Sequence, residues 1–177
     1  PSVLNLTAFE TFYDERRPFF SEGAEFFSQR LSLFHSRRIG RAPSYNLPEE
    51  GELKDAPDYT TILGATKVMG NTASGINYGL IGAITAEESA TLVIDSADVQ
   101  SVKEIVIEPR TNYTIGRFEV PMINDISRVG LMVTDVSRKN NPGATVAGID
   151  WNLGFLDNRL FTNGQIVRSD ANNMTGN

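Results

Sequence analysis

The residues richest in chemistry gather near the N-terminus. Glu15-Arg16-Arg17-Pro18-Phe19-Phe20-Ser21-Glu22-Gly23 sets two arginines and two carboxylates around one proline and two phenylalanines, with Glu10, Asp14 and Glu25 close by. A second basic cluster, Arg37, Arg38 and Arg41, follows. Guanidinium and carboxylate groups together form planar, charge-assisted hydrogen bonds that offset the desolvation of buried charge. Glu15, Arg16, Arg17, Glu22, Arg37 and Arg38 are therefore candidates for a lumen network that holds the N-terminal segment against an inner wall, the alternative being solvated surface charge. Pro18 fixes its own φ and pushes Arg17 toward an extended conformation, and Gly23 permits a tight turn. The stretch reads as a rigid corner rather than as helix or strand.

Other chemistries find less support. His35 is the only histidine, and no serine or cysteine nucleophile can be set beside it, so a catalytic triad is not expected. The chain has no cysteine, which excludes a disulfide framework, thiolate catalysis and Cys-ligated zinc. Asp95, Asp98, Glu49, Glu50 and Glu52 offer oxygen ligands, but their spacing fits no EF-hand loop, and they read as solvated loop residues. The acids include no pair of known separation from which glycoside hydrolysis could be argued. Gly64, Gly70, Gly75, Gly79 and Gly82 do not open a helix after a strand, so no phosphate loop is expected. Asn5-Leu6-Thr7, Asn112-Tyr113-Thr114 and Asn173-Met174-Thr175 match the glycosylation triplet, a weak pattern. The expectation is a chain with no catalytic residues, no metal and no cofactor.

The whole chain narrows the partners. Its 177 residues permit one domain, and a net charge of −6 with a pI near 4.8 argues against nucleic acid, which needs a basic face. No apolar run approaches the roughly 18–20 residues of a transmembrane helix. There is no signal peptide, and a chain opening at Pro1 reads as a mature product or a fragment. A hydrophobic content of 40% suits a soluble β protein and a membrane β-barrel alike, because barrel strands hide their apolar signal by alternation.

The elements that must position these residues are strands. Residues 1–30 form an N-terminal segment containing the corner and a weak strand at 2–10, with Phe26 and Phe27 expected to be buried. Residues 31–177 read as antiparallel barrel strands. Residues 31–39 are a first strand candidate, and 40–59, with Pro43, Pro48 and Pro57, form a loop. Strands follow at 60–70, 75–85, 112–120, 127–137, 145–155 and 160–169. Within the long segment 86–110, two apolar runs at 91–94 and 104–107 are placed to pair locally. Tight turns are expected near Asn71, Pro121 and Asp157, and longer connections at 40–59, 86–110 and 139–143. Strands of about 10 residues exceed the usual five or six and match the 9–11 of a tilted membrane strand. Short turns alternating with long loops are the rhythm of an up-and-down barrel.

Alternation is clearest at 145–155. Ala147, Ile149, Trp151, Leu153 and Phe155 share one face, and Asp150 and Asn152 lie on the other with Gly148 and Gly154. In a soluble sandwich the apolar face meets a second sheet; in a barrel it meets lipid, and the small, polar face looks inward. Alternation alone fits both, and strand length with loop rhythm favours the barrel. Trp151, with Phe155 or Tyr78, then suits an aromatic girdle as well as it suits the core of a soluble sheet.

Several blocks carry a resemblance. Asn5-Leu6-Thr7 with Phe9, then Glu15-Arg16-Arg17-Pro18-Phe19-Phe20 and Glu22-Gly23, resembles the opening segment of a bacterial outer-membrane β-barrel family of unknown function. Leu33-Phe34-His35-Ser36-Arg37-Arg38-Ile39-Gly40, Ile62-Leu63-Gly64-Ala65 with Lys67, and Thr111-Asn112-Tyr113 with Arg117 are similar to its next blocks. Ser21 and His35 stand where leucine and tyrosine are commoner. Longer members carry an upstream domain similar to family 9 carbohydrate-binding modules, so the resemblance implies the N-terminal part of such a barrel. The fold expected is all-β, an incomplete antiparallel up-and-down transmembrane barrel. From residue 31 about seven long strands are counted, an odd number where bacterial single-chain barrels have even ones. The strand at 160–169 should therefore keep one unpaired edge. The partners expected are outer-membrane lipid and the remainder of the same polypeptide or a partner chain that completes the barrel, with carbohydrate a further candidate. The alternative is a soluble extracellular β-sandwich that binds carbohydrate.

Overall fold

A computed structural model describes residues 15–96, 99–156 and 159–171. The expected strand at 2–10, Glu10 and Asp14, the triplets at Asn5 and Asn173, and Asp98 and Asp157 lie outside the described residues.

The chain is all-β and antiparallel. A six-stranded sheet is built from β2 (Ile62–Asn71), β3 (Asn77–Thr85), β6 (Thr111–Met122), β7 (Asn124–Arg138), β8 (Asn141–Phe155) and β9 (Leu160–Ala171), in that spatial order. A three-stranded sheet joins β1 (Glu52–Lys54), β4 (Glu88–Ser96) and β5 (Val99–Glu108). The apolar runs at 91–94 and 104–107 lie on paired strands: Thr91 faces Glu104, and Ile94 faces Ser101. Segment 86–110 is thus a hairpin continuing outward from the pair β3 and β6, which leave the six-stranded sheet at Thr85 and Thr111.

Among the described residues β2 pairs only with β3, and β9 only with β8. Within the described residues the sheet does not close, and β9 keeps one unpaired edge, as expected for 160–169.

Three expectations are corrected. Residues 31–39 are not a strand: the chain runs irregularly into a 3₁₀ turn at Ser36–Arg38. Leu33 and Phe34 are consecutive yet both pack on the core with Ile39, which a period of two cannot satisfy. The backbone of Leu31 is instead held by a side chain, its N–H donating to Gln165 Oε1 at 2.7 Å and its carbonyl accepting from Gln165 Nε2 at 3.1 Å. The count of long strands in the main sheet is consequently six. Second, the corner contains one helical turn, α1 (Pro18–Ser21). Pro18 takes the first helical position, where its missing N–H is not needed, while Arg17 is extended and Gly23 has φ 66, as expected. Third, 139–143 is no long loop: β7 and β8 join through Lys139 and Asn140, with Asn140 at φ 55.

The sheet has two unlike faces. Residues 15–41 run across one of them as a strap. Phe20, Phe27 and Ile39 of the strap and Ile81, Ala83, Ile115 and Met132 of the sheet form the core between them, with Phe26, Leu33 and Phe34 packed against it. Glycines on this covered face give the strap room. A Cβ at Gly79 would stand 2.7 Å from the Phe27 ring and 2.9 Å from that of Phe26, and one at Gly148 would stand 2.7 Å from Leu33 Cδ1.

Among the described residues the opposite face is open and apolar. One row crosses all six strands: Gly70, Tyr78, Phe118, Leu131, Ile149 and Ile166 are successive partners. Its large members are 37%, 49%, 46%, 51% and 69% exposed, from Tyr78 to Ile166. Tyr78 lies over Gly70, and Trp151 over Gly164, so aromatic rings cover glycines of the neighbouring strand. Toward the β4–β5 end the apolar pattern stops at a polar row, Thr114, Asp135, Thr145 and Asp170.

Candidate functional site

Two charge clusters fasten the strap. The first is the corner itself. Arg17 donates from Nε and Nη2 to the two carboxylate oxygens of Glu15, at 2.9 and 2.7 Å. Its Nη1 reaches the Ile39 carbonyl at 2.7 Å, its Nη2 the Ser36 carbonyl at 2.9 Å, and Ser36 Oγ donates to Glu15 Oε2 at 2.6 Å. The guanidinium also stacks 4.4 Å above the Phe20 ring. The pair therefore ties the start of the strap to its end. The fork of donors from Arg17, with Ser36 adding a further bond, lowers the Glu15 carboxyl to about 2 against the pull of burial.

The second cluster lies on the covered face, where Arg117 of β6 alternates in phase with Ile115 and Glu119. Its Nη1 and Nη2 donate to Asp150 Oδ1 and Oδ2 of β8 at 2.9 and 3.1 Å, and Nη2 lies 3.4 Å from Glu119 Oε1. The ring of Phe26 sits 5.6 Å from the guanidinium carbon. Gly130 of β7 lies between the partners, and a Cβ there would come within 2.8 Å of Asp150 Oδ1. Asp150 also accepts from Gln29 of the strap, and Gln29 Oε1 accepts from Gln165 Nε2 at 3.2 Å. At the other edge of the sheet, Lys67 Nζ of β2 donates to the carbonyls of Phe19 and Glu22 at 2.5 and 2.7 Å. The strap is thus pinned from β2 to β9.

Of the six residues expected in one network, Glu15 and Arg17 pair directly. Arg16 is exposed, its amide donating to Glu15 Oε1 at 3.0 Å. Glu22 is exposed and takes part through its carbonyl. Arg37 and Arg38 lie exposed on the 3₁₀ turn. Asp150 faces the strap, as its place in the alternation predicted, but Arg117, Glu119, Gln29 and Gln165 were not singled out as its partners. The signal for Arg117 was present: a cation in mid-strand, in phase with apolar Ile115, requires a partner on a neighbouring strand. Ala147, Ile149, Trp151, Leu153 and Phe155 lie together on the open face, opposite the strap.

Among the described residues no three metal-ligating side chains gather, and no helix is long and apolar enough to cross a membrane. Glu52 forms an exposed pair with Lys54 at 3.7 Å. The arrangement is suited to locking a segment in place: guanidinium forks on carboxylates, buttressed by aromatic rings.

Neither any curated protein nor any solved structure matches the chain. Residues 1–177 match DUF5916, a domain of unknown function, and the chain belongs to that family.

Proposed function

We propose that the chain forms part of the wall of a bacterial outer-membrane β-barrel, with the strap held inside it and a non-enzymatic role in transport, surface binding or envelope organisation. The observation that carries this reading is the apolar row running across every strand of an open sheet face with nothing of the described chain upon it. An apolar patch of this kind marks a surface meant for lipid or a partner. The alternating pattern, large apolar residues on one face and glycine or polar residues on the other, is the pattern of a barrel wall.

Dimensions agree. At about 3.3 Å per residue, the stretch Ala147 to Phe155 is about 26 Å long. Tilted by roughly 35–45° it projects about 20 Å along a membrane normal, near the roughly 25 Å apolar band of such barrels. The polar row at Thr114, Asp135, Thr145 and Asp170 ends the band on the side of the β4–β5 hairpin. The tight turns then lie on the periplasmic side and the hairpin on the outer side. The open edges of β2 and β9 cannot face hydrocarbon, where each unpaired backbone group costs several kcal/mol, so further strands of the same polypeptide or of a partner must complete the wall. A soluble carbohydrate-binding sandwich, by contrast, needs a second sheet on the apolar face. Fractionation of cells producing the intact protein tests the reading: recovery in the outer-membrane fraction, resistant to carbonate extraction, is expected, and recovery as a soluble periplasmic or secreted product would overturn it.

A further inference from the structure

Two tight turns at one end of the sheet carry large apolar residues where turn chemistry calls for glycine or asparagine. Ile123, between β6 and β7, has φ 58, and Leu156, just after β8, has φ 51. Glycine, asparagine and aspartate tolerate a left-handed backbone, whereas a β-branched or bulky residue there is a genuine outlier. Other turns of the same sheet follow the rule: β2–β3 uses Gly75 at φ 80, and β7–β8 uses Asn140 at φ 55. Nor do the two side chains gain burial, since Ile123 is 66% exposed and Leu156 73%.

The left-handed backbone is held from beneath. Asn124 Nδ2 donates to the Gly154 carbonyl at 2.9 Å, and its Oδ1 accepts from the Ser127 amide and hydroxyl at 2.9 and 2.6 Å. The Gly154 amide donates to Ser127 Oγ at 3.0 Å, and Ser127 is fully buried. One polar lock thus ties the β6–β7 turn to the end of β8, and the Arg159 amide closes the other turn on the Phe155 carbonyl at 3.1 Å. Strain of this kind persists only where the surroundings over-determine it, and it gathers at functional sites.

The tips also continue the open face. Phe155 and its partner Leu160 are the last pair on that face, and Leu156 follows them; Ile123 follows Met122, and both Met122 and Leu160 are exposed. Counted from the polar row, Ile123 stands nine residues beyond Thr114, and Leu156 eleven beyond Thr145. At about 3.3 Å per residue and a tilt of roughly 35–45°, these runs project about 21–24 and 26–30 Å, which puts both tips near the far border of a roughly 25 Å apolar band. Neighbouring hairpins with strands about 4.8 Å apart need a stagger of about two to three residues at that tilt to end at one level. The difference of two residues between the tips supplies it.

We propose that these two turns are a lipid anchor, in which Ile123 and Leu156, flanked by Met122 and Leu160, insert between headgroups and acyl chains of the periplasmic-side leaflet. The inference rests on the reading of the open face as lipid-facing. Apolar side chains leave water at that boundary, which offsets the cost of the left-handed backbone. Glycine or asparagine would satisfy the backbone without reaching lipid. The β2–β3 turn, with Thr72, Ser74 and Gly75, is built that way and carries no anchor.

The test places a bimane label singly at 123, 156 and 149 of the intact protein in phosphatidylethanolamine–phosphatidylglycerol vesicles that contain lipids with a shallow or a deep acyl-chain nitroxide. Position 149 should be quenched more by the deep nitroxide and 123 and 156 more by the shallow one, with aqueous iodide quenching none of the three. Iodide quenching at 123 and 156 together with lipid quenching at 149 would overturn the anchor and leave the wall reading standing. Iodide quenching at 149 as well would overturn both. Tips shielded from iodide and from both lipids would mark a protein contact and overturn the anchor too. Ile123→Asn with Leu156→Asn, which the left-handed backbone accepts as it does Asn140, should lower the fraction that inserts into vesicles by about threefold or more, and unchanged insertion would overturn the anchor.

Discussion

Removing Asp150 should reveal how the strap is held. The Arg117 side chain is 5% exposed and that of Asp150 23%. Asp150→Ala strips the guanidinium of both oxygens of its bidentate pair and leaves only Glu119, at 3.4 Å. Losing one member of a buried pair typically costs about 3–5 kcal/mol, because the remaining charge stays buried and uncompensated. Partial exposure of Asp150 and the nearby Glu119 reduce this to about 2–4 kcal/mol. The same change removes the acceptor for Gln29, so the strap should loosen with the loss of stability. Removing both charges, in Arg117→Met with Asp150→Ala, should be less damaging than the sum of the two single changes. Chemical unfolding of the four variants in detergent gives the coupling energy, and limited proteolysis of the strap reports its release. Coupling above about 1 kcal/mol is expected; additivity within about 0.3–0.5 kcal/mol would refute the assignment of this pair as the fastening of the strap.

Other consequences are as direct. Gly79→Ala puts a methyl group against Phe26 and Phe27 and should destabilise by about 1–3 kcal/mol through overpacking, measurable by unfolding. The Glu15 carboxyl, lowered from 4.5 to about 2, favours the folded state above its unfolded value, and that contribution falls away as pH drops from about 4.5 through about 2. Glu15→Gln should flatten the stability profile over that window, and a profile identical to the parent's would refute the role of the pair. Ile149→Arg should destabilise by roughly 2–4 kcal/mol if the open face lies at mid-bilayer, whereas an exposed aqueous position would change by less than about 0.5 kcal/mol. Protease added to intact cells should cut within 86–110 and spare the turn near Asp157.

The legible part of this fold was its regular alternation. Tyr78, Leu80 and Ile84 against Gly79, Ala83 and Thr85, and Ile149 and Trp151 against Gly148 and Asp150, share faces in the structure as the period of two requires. Local pairing within 86–110 was legible for the same reason. Residues 31–39 were misread because Leu33, Phe34 and Ile39 follow the surface they cover rather than a strand's own period. The fastening of the strap was half legible. Glu15 and Arg17 are two residues apart, so their pairing is local, but Arg117 and Asp150 meet only through the register of β6, β7 and β8 across Gly130. A residue's own neighbours in sequence carry no trace of such a register, and the lone charges in mid-strand are the clue that remains.

The claim that the open face of the sheet meets lipid is tested most directly by a spin-label scan of positions 147–155 of β8, in the intact protein in outer membranes. The account predicts oxygen accessibility alternating with a period of two, highest at 149, 151 and 153 and low at 150, beneath the strap, and at 152, with no access for a water-soluble nickel complex at 149 or 153. Free collision of that complex with labels at 149 and 153 would contradict it.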